Sequence, residues 1–200
     1  DVRAFLKGAR DPVGSVVAER RFRLGRIRHR RLADAEGALS CYREVLSKVP
    51  RHPAALAALE ELARGTGAAA IQAALVLEPI YSAEGEHQKV IDALEARAAN
   101  ETDPSARAAL LRRIAEIYGG PLRNVEMAFL AAGRALAADP DARDSLSLVG
   151  TYAAAAGLAD EHAAVLQENA DRARDPGARA EYQRRIARLA KAEPTSAAEA

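Results

Sequence analysis

The sequence has no tryptophan, a single cysteine and only 4% aromatic residues, and its formal net charge at neutral pH is +1. The lone cysteine, Cys41, excludes an internal disulfide framework and a cysteine-based zinc cluster. A charge so close to zero gives no overall field that would attract nucleic acid or an anionic membrane. No apolar run reaches the roughly 18 residues that cross a bilayer. These absences argue against disulfide-rich, zinc-finger and membrane-spanning proteins.

The sequence is rich in alanine, which is the most frequent of the hydrophobic residues that make up 49% of the chain. Alanine is the strongest helix former but buries little surface, so helices rich in alanine must approach each other closely to form a core. The composition therefore favours thin, closely spaced helices over a thick globular core. Arginine greatly outnumbers lysine, a bias that fits either a GC-rich genome or a need for bidentate contacts.

Two segments of the chain repeat each other at a fixed distance. Residues 103–108 read Asp-Pro-Ser-Ala-Arg-Ala and residues 175–180 read Asp-Pro-Gly-Ala-Arg-Ala. Further along in the same register, residues 112–115 and 184–187 both read Arg-Arg-Ile-Ala. The spacing from 103 to 175 is 72 positions, and a fixed period of this kind is the signature of a repeat architecture.

A weaker third copy begins at Asp11-Pro12, and in it Leu24 lies 90 positions before its counterpart Ile114. The excess of 18 positions over the period of 72 corresponds to about one short helix with its turn. We expect that residues 68–84 form this insertion, so that strict pairing of helices fails once in the chain.

The punctuation of the sequence predicts helices throughout. Asp103-Pro104 supplies an N-cap acceptor followed by proline at the first helical position, and the glycine pair that follows Tyr118 ends that helix. Pro79 predicts a kink or a shorter helix around it. No alternating apolar run predicts a strand. The predicted helices cover residues 1–9, 13–31, 34–48, 53–65, 68–83, 86–100, 104–118, 122–138, 142–156, 159–173 and 176–191.

We expect one repeat domain over residues 1–192, followed by a frayed tail over residues 193–200 that lacks bulky apolar anchors. The chain starts without methionine, in what looks like the middle of a helix, so we expect it to be a fragment of a larger protein. The predicted units are 13–50, 53–100 with the extra helix, 104–140, 142–174 and a partial unit at 176–191.

Two helix pairs share a pattern of bulky and small residues. The first set is Leu24-Gly25, Ala38, Tyr42, Val45 and Pro50, and the second is Ile114-Ala115, Tyr118, Ala128, Ala135 and Pro140. The pattern resembles the tetratricopeptide repeat (TPR), in particular the degenerate Ala- and Arg-rich arrays of large bacterial scaffold proteins. The chain departs from the TPR pattern at Arg28, near an expected tyrosine, and at Ala132, in place of an aromatic residue. The resemblance implies an all-α solenoid of ten to eleven helices in antiparallel hairpins, whose first helices line a concave face that receives a peptide or a partner helix.

Residues with catalytic or metal-binding chemistry are scattered rather than clustered. The four histidines have no second histidine, cysteine or acid at a recurring metal-ligand interval. Cys41 lies within a predicted helix with no evident base, which is typical of a buried spacer rather than a nucleophile. No glycine-rich loop follows a strand to bind phosphate. We therefore predict no catalytic, cofactor-binding or metal-binding residues.

Arginine is the strongest charge feature, with seven arginines between Arg20 and Arg31. Arg23, Arg113 and Arg185 occupy equivalent repeat positions, and we predict that they share one face. A ladder of guanidinium groups could bind the carboxylates of an acidic peptide bidentately. The alternative is that these arginines are solvated and pair with nearby glutamates. The candidate partner-binding residues are Arg23, Arg26, Arg112, Arg113, Arg184 and Arg185.

Two functions remain open at the level of sequence. The first is a non-enzymatic scaffold that presents a preformed groove to a protein or peptide partner. The second is a structural spacer or self-assembly segment of a larger protein. RNA binding is disfavoured because the basic residues lack accompanying aromatic residues for base stacking. Compartment stays open, with the cytoplasm favoured over the periplasm.

Overall fold

The computed structural model describes residues 12–192, which form ten α-helices and no strand. The predicted helix over residues 1–9 and the predicted frayed tail over residues 193–200 lie outside the described residues. The helices are α1 (Pro12–Arg31), α2 (Ala35–Lys48), α3 (Pro53–Ala63), α4 (Ala68–Glu84), α5 (His87–Asn100), α6 (Pro104–Gly119), α7 (Val125–Ala138), α8 (Arg143–Ala156), α9 (Ala159–Ala170) and α10 (Pro176–Ala192).

Side-chain caps begin several of these helices. Asp34, Asp103 and Asn124 each accept a hydrogen bond from the backbone N–H three residues later, at 2.8 to 3.0 Å. His52 does the same for α3 through its ring Nδ1 at 3.2 Å. These acceptors satisfy backbone donors that have no partner inside the helix. The short polar residues in the sequence thus determine where the helices start.

The described residues fall into two compact units, one ending at Asn100 and the other beginning at Glu101. In the first unit, α1 pairs with α2, while α4 packs against both α3 and α5. Its fully buried side chains include Tyr42, Leu59 and Leu94. The insertion predicted over residues 68–84 is a helix with those bounds, and Pro79 lies inside it without shortening it.

The second unit contains α6 to α10, in which α6 pairs with α7, α7 packs against α8, and α9 pairs with α10. Its core includes Ile114, Leu136 and Tyr182, all of which are fully buried. The Tyr182 hydroxyl donates a 2.8 Å hydrogen bond to the backbone carbonyl of Pro140 and so ties α10 to the turn before α8.

The predicted all-α fold of antiparallel helix hairpins is confirmed, and the helix bounds differ from the prediction by no more than a few residues. The two largest differences are α7, which starts at Val125 rather than 122, and α9, which ends at Ala170 rather than 173. Helix α7 begins directly after its N-cap residue, Asn124, and α9 ends where a turn begins at Asp171. The arrangement of the repeats into one continuous domain stays a prediction.

The two copies that share the pattern of bulky and small residues bury different residues at one pair of equivalent positions. In α1, Gly25 faces the ring of Tyr42 on α2, and both residues are buried. Ninety positions later, Ala115 and Ala132 occupy the corresponding places and are fully buried. At these two positions the first copy has a glycine and a tyrosine, whereas the second copy has two alanines. The departure from the TPR pattern at Ala132 is matched by a larger residue at the position of Gly25.

Candidate protein-binding surface

Helix α1 carries seven arginines and a single acidic residue, Glu19. Its buried side is narrow and consists of Ala18, Phe22 and Gly25, which pack toward α2 and α3. With most of the helix outside the core, its long basic side chains are free to extend into solvent. The helix is therefore held by one buried stripe, and its exposed side carries most of the arginines together with Val16, Val17 and Ile27.

Four arginines of α1 surround one exposed apolar side chain. We name the set of Arg23, Arg26, Ile27, Arg30 and Arg31 the α1 basic surface. Together with Glu19 these residues line a shallow cavity of about 680 Å³. The side chain of Ile27 is 51% exposed. The surface thus offers one apolar contact enclosed by positive charge.

The arginines of this surface differ in how they are paired. The Arg23 Nε donates to Glu19 at 3.0 Å, and an Arg30 Nη donates to Glu61 on α3 at 3.0 Å. Among the described side chains, Arg26 and Arg31 make no ion pair, although the Arg26 guanidinium lies 5.9 Å from the centre of the Phe22 ring. Two positive charges are therefore without a carboxylate.

The Arg30 pair also perturbs its partner. Its hydrogen bond is the main reason why the pKa of Glu61 is lowered. Nearby, the buried Tyr42 hydroxyl has no hydrogen-bond partner, and burial raises its pKa, with a smaller contribution from Glu61. Arg30 and Arg26 act in the opposite direction on Tyr42. The charges of the α1 basic surface thus influence the pKa of Tyr42 in the core beneath it.

In the second unit, two of the six predicted arginines connect helices to each other. Arg112 on α6 donates to the Ser145 hydroxyl on α8 at 3.2 Å. Arg185 on α10 donates to the Leu146 carbonyl at 2.7 Å and to Glu181 at 2.8 Å. Both guanidinium groups thereby satisfy groups of α8. Arg112 and Arg185 therefore form hydrogen bonds between helices of the same chain.

The other two predicted arginines of this unit, Arg113 and Arg184, are exposed. Arg184 pairs with Glu181 on its own helix at 3.2 Å. Arg113 and Arg185 occupy equivalent repeat positions, yet Arg113 is exposed and Arg185 is partly buried. Equivalent sequence positions therefore do not have equal burial here. A common face for Arg23, Arg113 and Arg185 stays a prediction.

Sequence reasoning missed a small pocket in the first unit where α3, α4 and α5 meet. It has a volume of about 150 Å³, and its wall includes Tyr81, Lys89 and Asp92. The Tyr81 hydroxyl donates to Glu60, and the Lys89 ammonium lies 4.8 Å from the centre of the Tyr81 ring. The residues come from three helices and share no motif, so no sequence signal indicated the pocket.

Within residues 12–192 no three histidine, cysteine or carboxylate side chains are grouped in a way that could hold a metal ion. The described helices include none with the length and apolar character of a membrane span. Cys41 is buried, as predicted.

No protein-family model and no curated protein matches the chain. Among solved structures, the chain is similar to the nearly identical TPR-like repeats assigned to a kinesin light chain of Podosopora anserina, with 19% sequence identity and a TM-score of 0.35. That match covers 86% of this chain and 85% of the other. A single-residue variant of the same repeats matches with 20% identity, a TM-score of 0.35, and coverage of 86% and 84%. Values this low establish neither a family nor a function for the chain.

Proposed function

We propose that this chain is a non-enzymatic scaffold and that the α1 basic surface binds an acidic segment of a protein partner. The observation that carries the proposal is the presence of Arg26 and Arg31, without ion pairs among the described side chains, beside the exposed Ile27. Guanidinium groups bind carboxylates bidentately, and an apolar contact at the centre adds affinity that salt does not screen.

The existing ion pairs of this surface do not prevent binding. The side chains of Arg23 and Arg30 are 72% and 61% exposed, and exposed pairs contribute little to stability. A partner carboxylate can therefore share or replace Glu19 and Glu61 at small cost. The helix itself is already formed, so little conformational entropy is lost on binding.

A fluorescently labelled peptide of alternating glutamate and leucine is a suitable probe, with binding followed by fluorescence anisotropy. The double variant Arg26→Gln/Arg31→Gln should weaken binding about tenfold, because it removes both unpaired charges. The matched control is Arg43→Gln/Lys48→Gln, which removes the same charge from exposed positions on α2. The control should bind as tightly as the parent.

Ionic strength separates charge from apolar contact in the same assay. Raising the salt concentration to about 1 M shortens the screening length to about 3 Å and should weaken binding strongly. Ile27→Ser should weaken binding at both low and high salt, since its contact is not screened. Equal binding by the parent and the Arg26/Arg31 variant would show that the α1 basic surface is not the binding site.

A further inference from the structure

Helix α9 and its C-cap residue, Asp171, carry an exposed acidic stripe in the second unit. Glu161, Ala164, Glu168 and Asp171 are all exposed and follow one another at spacings of three, four and three residues. These spacings place them on one side of a helix, because 3.6 residues complete a turn. Among the described side chains, none of the three acids makes an ion pair. The stripe has a small residue at its centre, flanked by negative charge.

Helix α1 has the complementary stripe. Arg20, Arg23, Ile27 and Arg30 are all exposed and are spaced by three, four and three residues. The sequence of spacings is therefore the same in both helices, and each stripe extends over about 15 Å at 1.5 Å per residue. One stripe has positive charge around a bulky aliphatic residue, and the other has negative charge around a methyl group.

When the two helices are aligned antiparallel, every position of one stripe meets its complement. Ile27 then lies opposite Ala164, where the small side chain leaves room for the larger one. The same register pairs arginine with acid at the other three positions: Arg20 with Asp171, Arg23 with Glu168, and Arg30 with Glu161. Shifting the register by one turn in either direction places Ile27 against a carboxylate or removes it from the small residue.

We propose that the acidic segment bound by the α1 basic surface is helix α9 of a second copy of this chain, packed antiparallel in this register. The inference rests on the proposed function, because Arg23, Ile27 and Arg30 belong to that surface, and Arg20 extends it toward the start of α1. Contact of α1 of one copy with α9 of the next joins copies either as a reciprocal two-fold pair or head to tail as a ring or a row. Its area is that of one helix face, which is below a standard interface and indicates weak, salt-sensitive association.

Charge reversal tests the pairing with the full 200-residue chain in sedimentation velocity at low salt. The parent should associate in a concentration-dependent way. The variants Arg23→Glu/Arg30→Glu and Glu161→Arg/Glu168→Arg should each associate at least about tenfold more weakly, because like charges would face each other. An equimolar mixture of the two should restore association, since each reversed helix finds a complementary partner. Circular dichroism checks that each variant is folded.

The matched control is Arg43→Glu/Lys48→Glu, which reverses the same number of charges on α2 and should leave association unchanged. If a reversed variant fails to fold, Glu161→Gln/Glu168→Gln replaces it and should also weaken association. Failure of the mixture to restore association overturns the pairing of α1 with α9. If the parent stays monomeric but still binds the Glu-Leu peptide, self-association is overturned and the proposed function stands. If the parent neither associates nor binds the peptide, both proposals are overturned.

Discussion

The contact between Gly25 and Tyr42 gives the sharpest test of how the first helix pair is packed. A Cβ added at Gly25 would lie 2.6 Å from Tyr42 Cε1 and 3.1 Å from the Cβ of Cys41. Tyr42 is fully buried, and its ring centre lies 5.8 Å from that of Phe22, so it has no space into which to move. We expect Gly25→Ala to destabilise the protein.

The size of this effect follows from two opposing contributions. Replacing glycine by alanine inside a helix gains about 1 kcal/mol of helix propensity. Overpacking a close-packed core costs about 1 to 3 kcal/mol, and a contact of 2.6 Å against an immobile ring belongs in the upper part of that range. The expected net loss for Gly25→Ala is therefore about 1 to 2 kcal/mol.

The matched control is Gly133→Ala on α7, where an added Cβ would meet only a methyl group of Val165, at 4.0 Å. That variant should keep the gain in helix propensity, about 0.5 to 1 kcal/mol. Thermal melting by circular dichroism should lower the Tm by about 2 to 8 °C for Gly25→Ala and raise it by about 1 to 4 °C for Gly133→Ala. Equal shifts of the same sign in both variants would refute the close contact with Tyr42.

Three further predictions concern the cores of the two units. Ala128→Leu, at a fully buried position, should destabilise by about 1 to 3 kcal/mol, and an unchanged urea midpoint would contradict this. Arg97→Ala should cost about 1 to 3 kcal/mol in urea unfolding, because it removes an ion-pair partner of the buried Glu78; a loss near zero would show that the pair contributes little. Burial, and secondarily Arg185, lowers the pKa of His162 in the folded protein below its usual 6.5. As the pH decreases, the unfolded chain therefore binds a proton at His162 before the folded chain does. The free energy of unfolding should be highest above pH 6.5 and should decrease below it. In urea titrations from pH 7.5 to 5, His162→Gln should show a smaller decrease.

The arginines show how one residue type acquires different roles in similar surroundings. Arg112 and Arg184 are repeat equivalents, but Arg112 reaches the Ser145 hydroxyl of a neighbouring helix, whereas Arg184 pairs on its own helix. The two arginines have different partners because different groups lie beside their helices. A later helix covers one side of α6 in the first case. Arg112 therefore binds a group on a neighbouring helix, whereas Arg184 binds Glu181 on its own helix.

The sequence by itself determined the local structure of this protein. Caps such as Asp103 and the proline after it act through hydrogen bonds within three residues, and the apolar spacing of three and four residues identifies one buried stripe per helix. Both signals are short-range. The bounds of the described helices, including the one at Ala68–Glu84, could therefore be predicted to within a few residues without coordinates.

The tertiary structure alone decided which of the arginines are exposed. Six arginines were predicted as binding residues, but Arg112 and Arg185 are held by groups on α8, more than 30 positions away in the chain. The pocket beside Tyr81 and the close approach of Gly25 to Tyr42 likewise depend on which helices meet. Such contacts follow from packing between distant segments, and no local pattern of residues encodes their distance or their partner.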